Sequence, residues 1–286
     1  MAPHVRWIHL IAVSTVTLLA MPIDGTAQTE ISVEPPIRAE IVNEGLTFGL
    51  DNLSGYIIES TMTLGDEELR RTRITYRLID SVDGTPLRIE RYLESETTGS
   101  VESNGPRRAI RYERIRSVAH LDGLSPVSSN GEIRWWNGQG WETAEHSIRF
   151  ASHRVTGIAI DTTGRAIELD HAVPRGVVLS DLRDFAFAIV AAGPLPGRSV
   201  ELSTFNPWNG ELAEYRYDVL QQEMMDVAGS ARDVLRVNIA FGLSNETMFF
   251  EREHPRLPVQ RISRDGTLIE NFTAPPQPMV QGSRQH

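Results

Sequence analysis

Three tryptophans crowd one short stretch, Trp135-Trp136-Asn137-Gly138-Gln139-Gly140-Trp141. Trp136 and Trp141 flank a four-residue loop, so they can pair across two strands. Such a platform could stack on a sugar ring or an apolar ligand. Aromatic pairs also stabilise hairpins with no ligand at all, and that plainer reading carries more weight. Soft and aromatic side chains elsewhere, Met224-Met225, Phe249-Phe250, Phe187 and Leu195, could line a lipid cavity or simply fill a core.

The charged residues are patterned but carry no signature. Arg71, Arg73 and Arg77 share one face of a strand. Neighbouring segments offer Glu90, Glu94 and Glu96, then Arg108, Arg111, Glu113, Arg114 and Arg116. An anionic ligand could sit there. Interleaved signs favour a solvated ladder of cross-strand ion pairs, each contributing a few tenths of a kcal/mol. The histidines include His120, His146, His153, His171 and His254, with no H-x-H or H-E-x-x-H spacing, so no metal site is expected. Asp170-His171 are neighbours, but adjacent strand residues face opposite sides. G-x-S-x-G, S-x-x-K and P-loop patterns are absent. Asp161, Glu168, Asp170 and Glu201 are the carboxylates available for acid–base work. No cofactor is implied.

The elements that must position these residues are strands. From Gly55 onward, apolar and polar residues alternate with period two. Tyr56, Ile58, Met62 and Leu64 share a face, as do Ile74, Tyr76 and Leu78 opposite Arg71, Arg73, Thr75 and Arg77. Leu87, Ile89 and Leu93 continue the pattern after a turn at Asp83-Gly84, and a charged strand spans 108–119. Further strands are expected at 131–136, 141–147, 155–160, 166–172, 199–205, 212–220, 233–241, 246–251, 257–263 and 267–272, separated by turn residues such as Asn209-Gly210 and Asp265-Gly266. One segment breaks the alternation. Ser180 suits an N-cap, Asp181 and Asp184 suit the positive end of a helix dipole, and Gly193-Pro194 suits a stop. The spacing of Leu182, Phe185, Ala186 and Ile189 predicts one amphipathic helix over 182–192, lying against or plugging the mouth of the sheet.

The fold class is therefore mainly β: an antiparallel curved sheet, a half-barrel or open barrel, with one helix. Residues 1–27 read as a signal peptide, with Arg6 before an apolar run of about 15 residues, short of the roughly 20 of a spanning helix, and cleavage after Ala27. Residues 28–54, broken by Pro35-Pro36, form an N-terminal arm, 55–273 a single β-rich domain, and 274–286 a disordered tail. No later segment is apolar enough to span a bilayer. There is no cysteine, which excludes disulfides, a thiol nucleophile and a lipidated cysteine. The net charge of −10 and pI near 5.3 argue against nucleic acid and against anionic membrane surfaces. The expected location is the periplasm or the extracellular space.

A family likeness rests on Gly193-Pro194-Leu195-Pro196-Gly197, on Phe205-Asn206-Pro207-Trp208-Asn209-Gly210, and on the run from Phe250-Glu251-Arg252-Glu253-His254-Pro255 to Arg261. Over roughly 175–273 the chain resembles uncharacterised bacterial periplasmic β-rich domains of unknown function, which are similar in architecture to the lipoprotein-carrier half-barrel. The resemblance implies a curved sheet wrapped on a helix with an apolar concave face, where the carrier families bind acyl chains; it transfers no catalytic residue. The leading expectation is a non-catalytic binder or carrier of an apolar ligand, a lipid or an envelope component. Its candidate residues are Trp135, Trp136, Trp141, Phe185 and Ile189. The competing expectations are a hydrolase or isomerase pairing His153 or His171 with Asp161, Asp170 or Glu201, and a structural protein of the envelope that docks a partner.

Overall fold

A computed structural model of the protein describes residues 40–41, 46, 48, 53–79, 87–97, 109–120, 124–136, 138–190, 195–227, 229–242 and 244–273. The expected signal peptide, Pro35-Pro36, the Asp83-Gly84 turn, the Gly193-Pro194 stop and the tail from Ala274 lie outside the described residues. Two antiparallel meanders make the sheet. The first contains β2 (Gly55–Leu64), β3 (Glu67–Ile79), β4 (Leu87–Thr97), β5 (Ala109–Ala119), β6 (Pro126–Trp136), β7 (Trp141–Ala151), β8 (Arg154–Ile160) and β9 (Ala166–Ala172). The second contains β11 (Arg198–Phe205), β12 (Leu212–Val227), β13 (Ser230–Phe241), β14 (Ser244–Glu251), β15 (Pro258–Ser263) and β16 (Leu268–Phe272). The short β1 (Glu40–Ile41) and β10 (Val178–Leu179) both pair in parallel with β11.

The last strand joins the meanders. β16 pairs antiparallel with β2, setting Asn271 opposite Thr61, so one ladder runs from β11 through β16, then β2 through β9. β9 and β11 are not neighbours in that ladder, so the sheet is an open barrel. The turn signals read from the sequence have local causes. Asp265 accepts from the Thr267 backbone N–H at 3.1 Å, and Asp161 accepts from the N–H groups of Thr163 and Arg165 at 2.9 and 3.0 Å. Gly210 sits at φ +78°, and a Cβ there would lie 2.8 Å from the His171 ring and from Leu169. Only glycine lets this β11–β12 turn press on β9 across the unpaired gap.

Strand β9 ends one edge of the first meander and β11 starts the far end of the second, so the chain must cross between them. It does so inside the curve. A 3₁₀ turn (Ser180–Leu182) leads into α1 (Arg183–Ala188), a helix of six residues. The longer helix expected over 182–192 is cut short, and Ile189 and Val190 leave it without a further helical turn. The Ser180 N-cap is also not formed: Leu182 occupies that position, with no side-chain capping bond. Burial stabilises the segment where length and capping do not. Phe185, Phe187, Ile189 and Val190 are each at most 1% exposed. Phe185 stacks on Tyr76 and Tyr56 at ring centroids of 5.2 and 5.8 Å, while Phe187 stacks on Tyr217 and packs against Phe250 at 4.5 and 4.6 Å. The plug therefore touches both meanders. The β14–β15 loop satisfies its C-terminal carbonyls: the Arg256 backbone N–H donates to Ala188 O at 2.9 Å, and Arg256 Nη1 to Val190 O at 2.7 Å.

Substituting Phe187→Ala should cost about 3–5 kcal/mol of stability in urea denaturation, because it opens a cavity where the two meanders meet the plug. Leu195→Ala, 55% exposed, should stay within about 0.5 kcal/mol.

Candidate functional site

The inner faces of β3, β4 and β5 carry charge where apolar residues would be expected. On β3 the inward set is Arg70, Thr72, Ile74 and Tyr76, on β4 it is Leu87, Ile89, Arg91 and Leu93, and on β5 it is Arg111, Glu113 and Ile115. Arg111 and Glu113 thus leave the outer ladder in which their sequence neighbours Arg114 and Arg116 sit. That ladder otherwise forms as expected, with Arg73–Glu59 at 3.5 Å and Arg116–Glu90 at 3.3 Å. The inward charges meet the plug and the second meander around a cavity of about 420 Å³.

The ion pairs inside are shared. Arg91 and Arg111 both pair with Glu113, the latter at 2.7 Å. Glu270 accepts from Ser60 at 2.7 Å and meets Arg70 and Arg261 at 3.4 Å. Asp184 of the plug is held by Arg261 at 3.1 Å, Arg183 at 3.3 Å and the Tyr217 hydroxyl at 3.1 Å. A buried carboxylate of this kind left with no partner would be an uncompensated charge. The guanidiniums keep surplus donors. The Nε–H groups of Arg70 and Arg91 are buried without an acceptor among the described residues, and Arg91 is only 8% exposed. Five donors per guanidinium in fixed directions make such a surplus hard to satisfy with side chains alone.

Two carboxyls on the same turn are pushed in opposite directions. Burial alone would raise Asp184, but the Arg183 and Arg261 guanidiniums and the Tyr217 hydroxyl overcome it and hold the group below the ordinary carboxylate value. For Asp181 burial prevails over the charges of Arg91 and Arg111 and over the Trp208 indole N–H, which donates at 3.2 Å, so its carboxyl is raised. Arg111 is lowered, first by burial and then by the like charges of Arg91 and Arg70. Positive charge is crowded at the meeting point of β3, β4 and β5.

A second cavity, about 520 Å³, shares Arg70, Ser95 and Arg111 with the first and is lined on its other side by Ile133, Trp135, Ala144 and Trp208. The two adjoin at these shared residues; the first is charged, and the second has an apolar side, with Asp161, Thr97 and Thr162 also lining it. The structure separates the five residues read as ligand-binding. Trp135 lines the apolar chamber, opposite Arg111 in the β5–β6 register. Trp136 and Trp141 pair across the hairpin on the outer face, with ring centroids 5.8 Å apart, and Trp141 is 47% exposed. Phe185 lines the charged chamber from above, and Ile189 is fully buried in the core. Met224 is exposed, Met225 and Phe249 belong to a small second cluster with Val234 and Val259, and Phe250 fills the main core.

The acid–base partners read from the sequence are engaged elsewhere. Asp170 pairs with Arg154 at 2.6 Å, Asp161 caps its turn, and His153 and His171 are exposed. A buried polar chain that the sequence did not flag runs instead from Ser117 to Ser129 (3.2 Å) and on to His146 Nε2 (2.9 Å). Ser129 has no exposed surface, so its hydroxyl meets no substrate. The His146 ring packs edge-on against Trp208 at 4.3 Å, and Gly131 leaves room for it: a Cβ there would lie 2.7 Å from His146 Nδ1.

Neither a family model nor a curated protein matches the sequence. Among solved structures, the chain superposes on a β-barrel-like protein of a domain of unknown function, DUF1849, from Brucella abortus. The fold is β-barrel-like. The TM-score is 0.52 at 10% identity, covering 80% of this chain and 99% of that one, so the likeness is one of architecture. It agrees with the expected resemblance to uncharacterised β-rich domains and with the open-barrel fold class. No helix among the described residues is long and apolar enough to cross a membrane.

Burial lowers His146 from 6.5 to about 4. The unfolded chain therefore binds this proton more readily than the folded one. Stability from the neutral ring is complete above pH 6.5 and is lost as pH falls towards 4, by up to about 3 kcal/mol. Thermal unfolding between pH 7 and 4 should show this loss, and His146→Gln should flatten it.

Proposed function

We propose that the protein is an exported, non-catalytic binding or carrier protein of the bacterial envelope whose ligand occupies the interior of the open barrel, beside the plug. One observation carries the reading: a two-chambered interior in which the buried Arg91, lining the charged chamber, keeps an Nε–H donor with no acceptor among the described residues. A group placed there by folding alone would be costly, because a buried unmet donor loses about 1–3 kcal/mol. A ligand oxygen would meet it. Export is supported by Arg6, the apolar run that follows and the small residues up to Ala27. A carrier of bare apolar ligands is less well supported. The concave surface beneath the plug is aromatic packing bordered by charge, and the apolar lining is confined to the chamber around Trp135 and Trp208.

Native mass spectrometry of the protein purified from its own envelope should show the chain carrying a small molecule that denaturation releases. A bare chain mass would overturn the reading. Arg91→Met should also abolish the adduct, with circular dichroism confirming that the strands persist.

A further inference from the structure

The interior also specifies what kind of ligand fits, an inference that rests on the binding reading above. We propose that the cavity takes an amphipathic acid: an oxyanion head, carboxylate or phosphate, seated among Arg70, Arg91 and Arg111, with a compact apolar body lying against Trp135 and Trp208.

Three arguments converge. The first is continuity. Arg70, Ser95 and Arg111 line both chambers, so a single molecule can reach from the charged one into the apolar one. The second is donor count. Arg91 and Arg111 share one carboxylate, Glu113, with the Tyr76 hydroxyl as a further partner of Arg91, while Glu270 is divided among Ser60, Arg70 and Arg261. The Nε–H groups of Arg70 and Arg91 remain for a further acceptor. Planar guanidiniums bind carboxylate and phosphate oxygens in pairs, and neutral ligands less strongly. The third is charge. Arg70, Arg91 and Arg111 repel one another, and the Asp181 carboxyl beside them, which accepts from the Trp208 indole N–H, is raised by burial. An incoming oxyanion relieves that repulsion, and a cation would increase it. At the other end, Trp135 and Trp208 with Ile133 and Ala144 offer contacts to hydrocarbon or a ring, while the Asp161 carboxylate, which also lines this chamber with Thr97 and Thr162, disfavours a second anionic group there.

The test uses four probes below their micelle concentrations: decanoate, monodecyl phosphate, decanol and decyltrimethylammonium. Binding to the full chain is followed by calorimetry and by tryptophan emission. One or both acids should bind, and their ratio tells carboxylate from phosphate. Decanol and the cation should bind at least about tenfold more weakly. Arg111→Gln should weaken the acids by a similar factor, while Arg73→Gln, on the outer ladder, should match the wild type. Glu113 keeps Arg91 in the Arg111→Gln variant, so its unfolding midpoint should stay close to that of the wild type. Trp135→Phe should reduce the emission change, with Trp208 reporting the remainder. Equal binding of decanol or of the cation, equal effects of the two arginine substitutions, or no binding of either acid would overturn the proposal. A neutral ligand on the native protein would defeat this inference alone, and a bare chain would defeat the binding reading as well.

Discussion

The Asp184 carboxylate, gripped by Arg183, Arg261 and the Tyr217 hydroxyl, is the contact on which the interior depends. The chain has to pass from the edge strand β9 to the far strand β11, and it passes through the concave side. That route carries a polar backbone and three charged side chains into the barrel. A six-residue helix has too few internal hydrogen bonds to stand alone. Its aromatic residues bury it, its carbonyls are met by Arg256, and its charges are met by guanidiniums reaching in from the strands.

Those guanidiniums have consequences for the rest of the sheet. Once Arg261 serves Asp184 it also meets Glu270 on β16, the strand that joins the two meanders, and Glu270 in turn engages Ser60 and Arg70 across the seam. The same network that seats the plug thus ties β16 to β2 and β3. Glu113 organises the neighbouring pair, Arg91 and Arg111. Beyond these pairs Arg70 and Arg91 keep Nε–H donors without a partner among the described residues, and both side chains line the charged chamber. Structural role and binding capacity arise from one set of residues.

Much of the fold is legible in the sequence. Alternation places β9 at Ala166–Ala172 and β11 within a residue of its observed start, because half-buried strands impose period two and Asp161, Gly210 and Asp265 fix the turns between them. β12 and β13 run longer than expected, since their distal ends alternate weakly and are stabilised by pairing with each other. The helix is shorter than its apolar spacing suggests, because Ile189 and Val190 are buried by tertiary contacts that any backbone shape could have used. The site was harder to read. Arg70 shares parity with Ile74 and Tyr76, Arg91 with Leu87 and Ile89, and Arg111 with Ile115. That coincidence on three successive strands marks charges that face inward, but a reading built on apolar positions assigns Arg111 to the outer ladder and does not single out Arg70 or Arg91. Trp135 was singled out together with Trp136 and Trp141, yet parity alone already sets it on the opposite face.

Crystals grown or soaked with bromide would test most directly whether the interior attracts an anion. Anomalous scattering should place bromide inside the barrel, in contact with Arg70, Arg91 or Arg111. Bromide confined to the exposed outer ladder at Arg71 and Arg73, with the interior closed by protein side chains, would contradict the account.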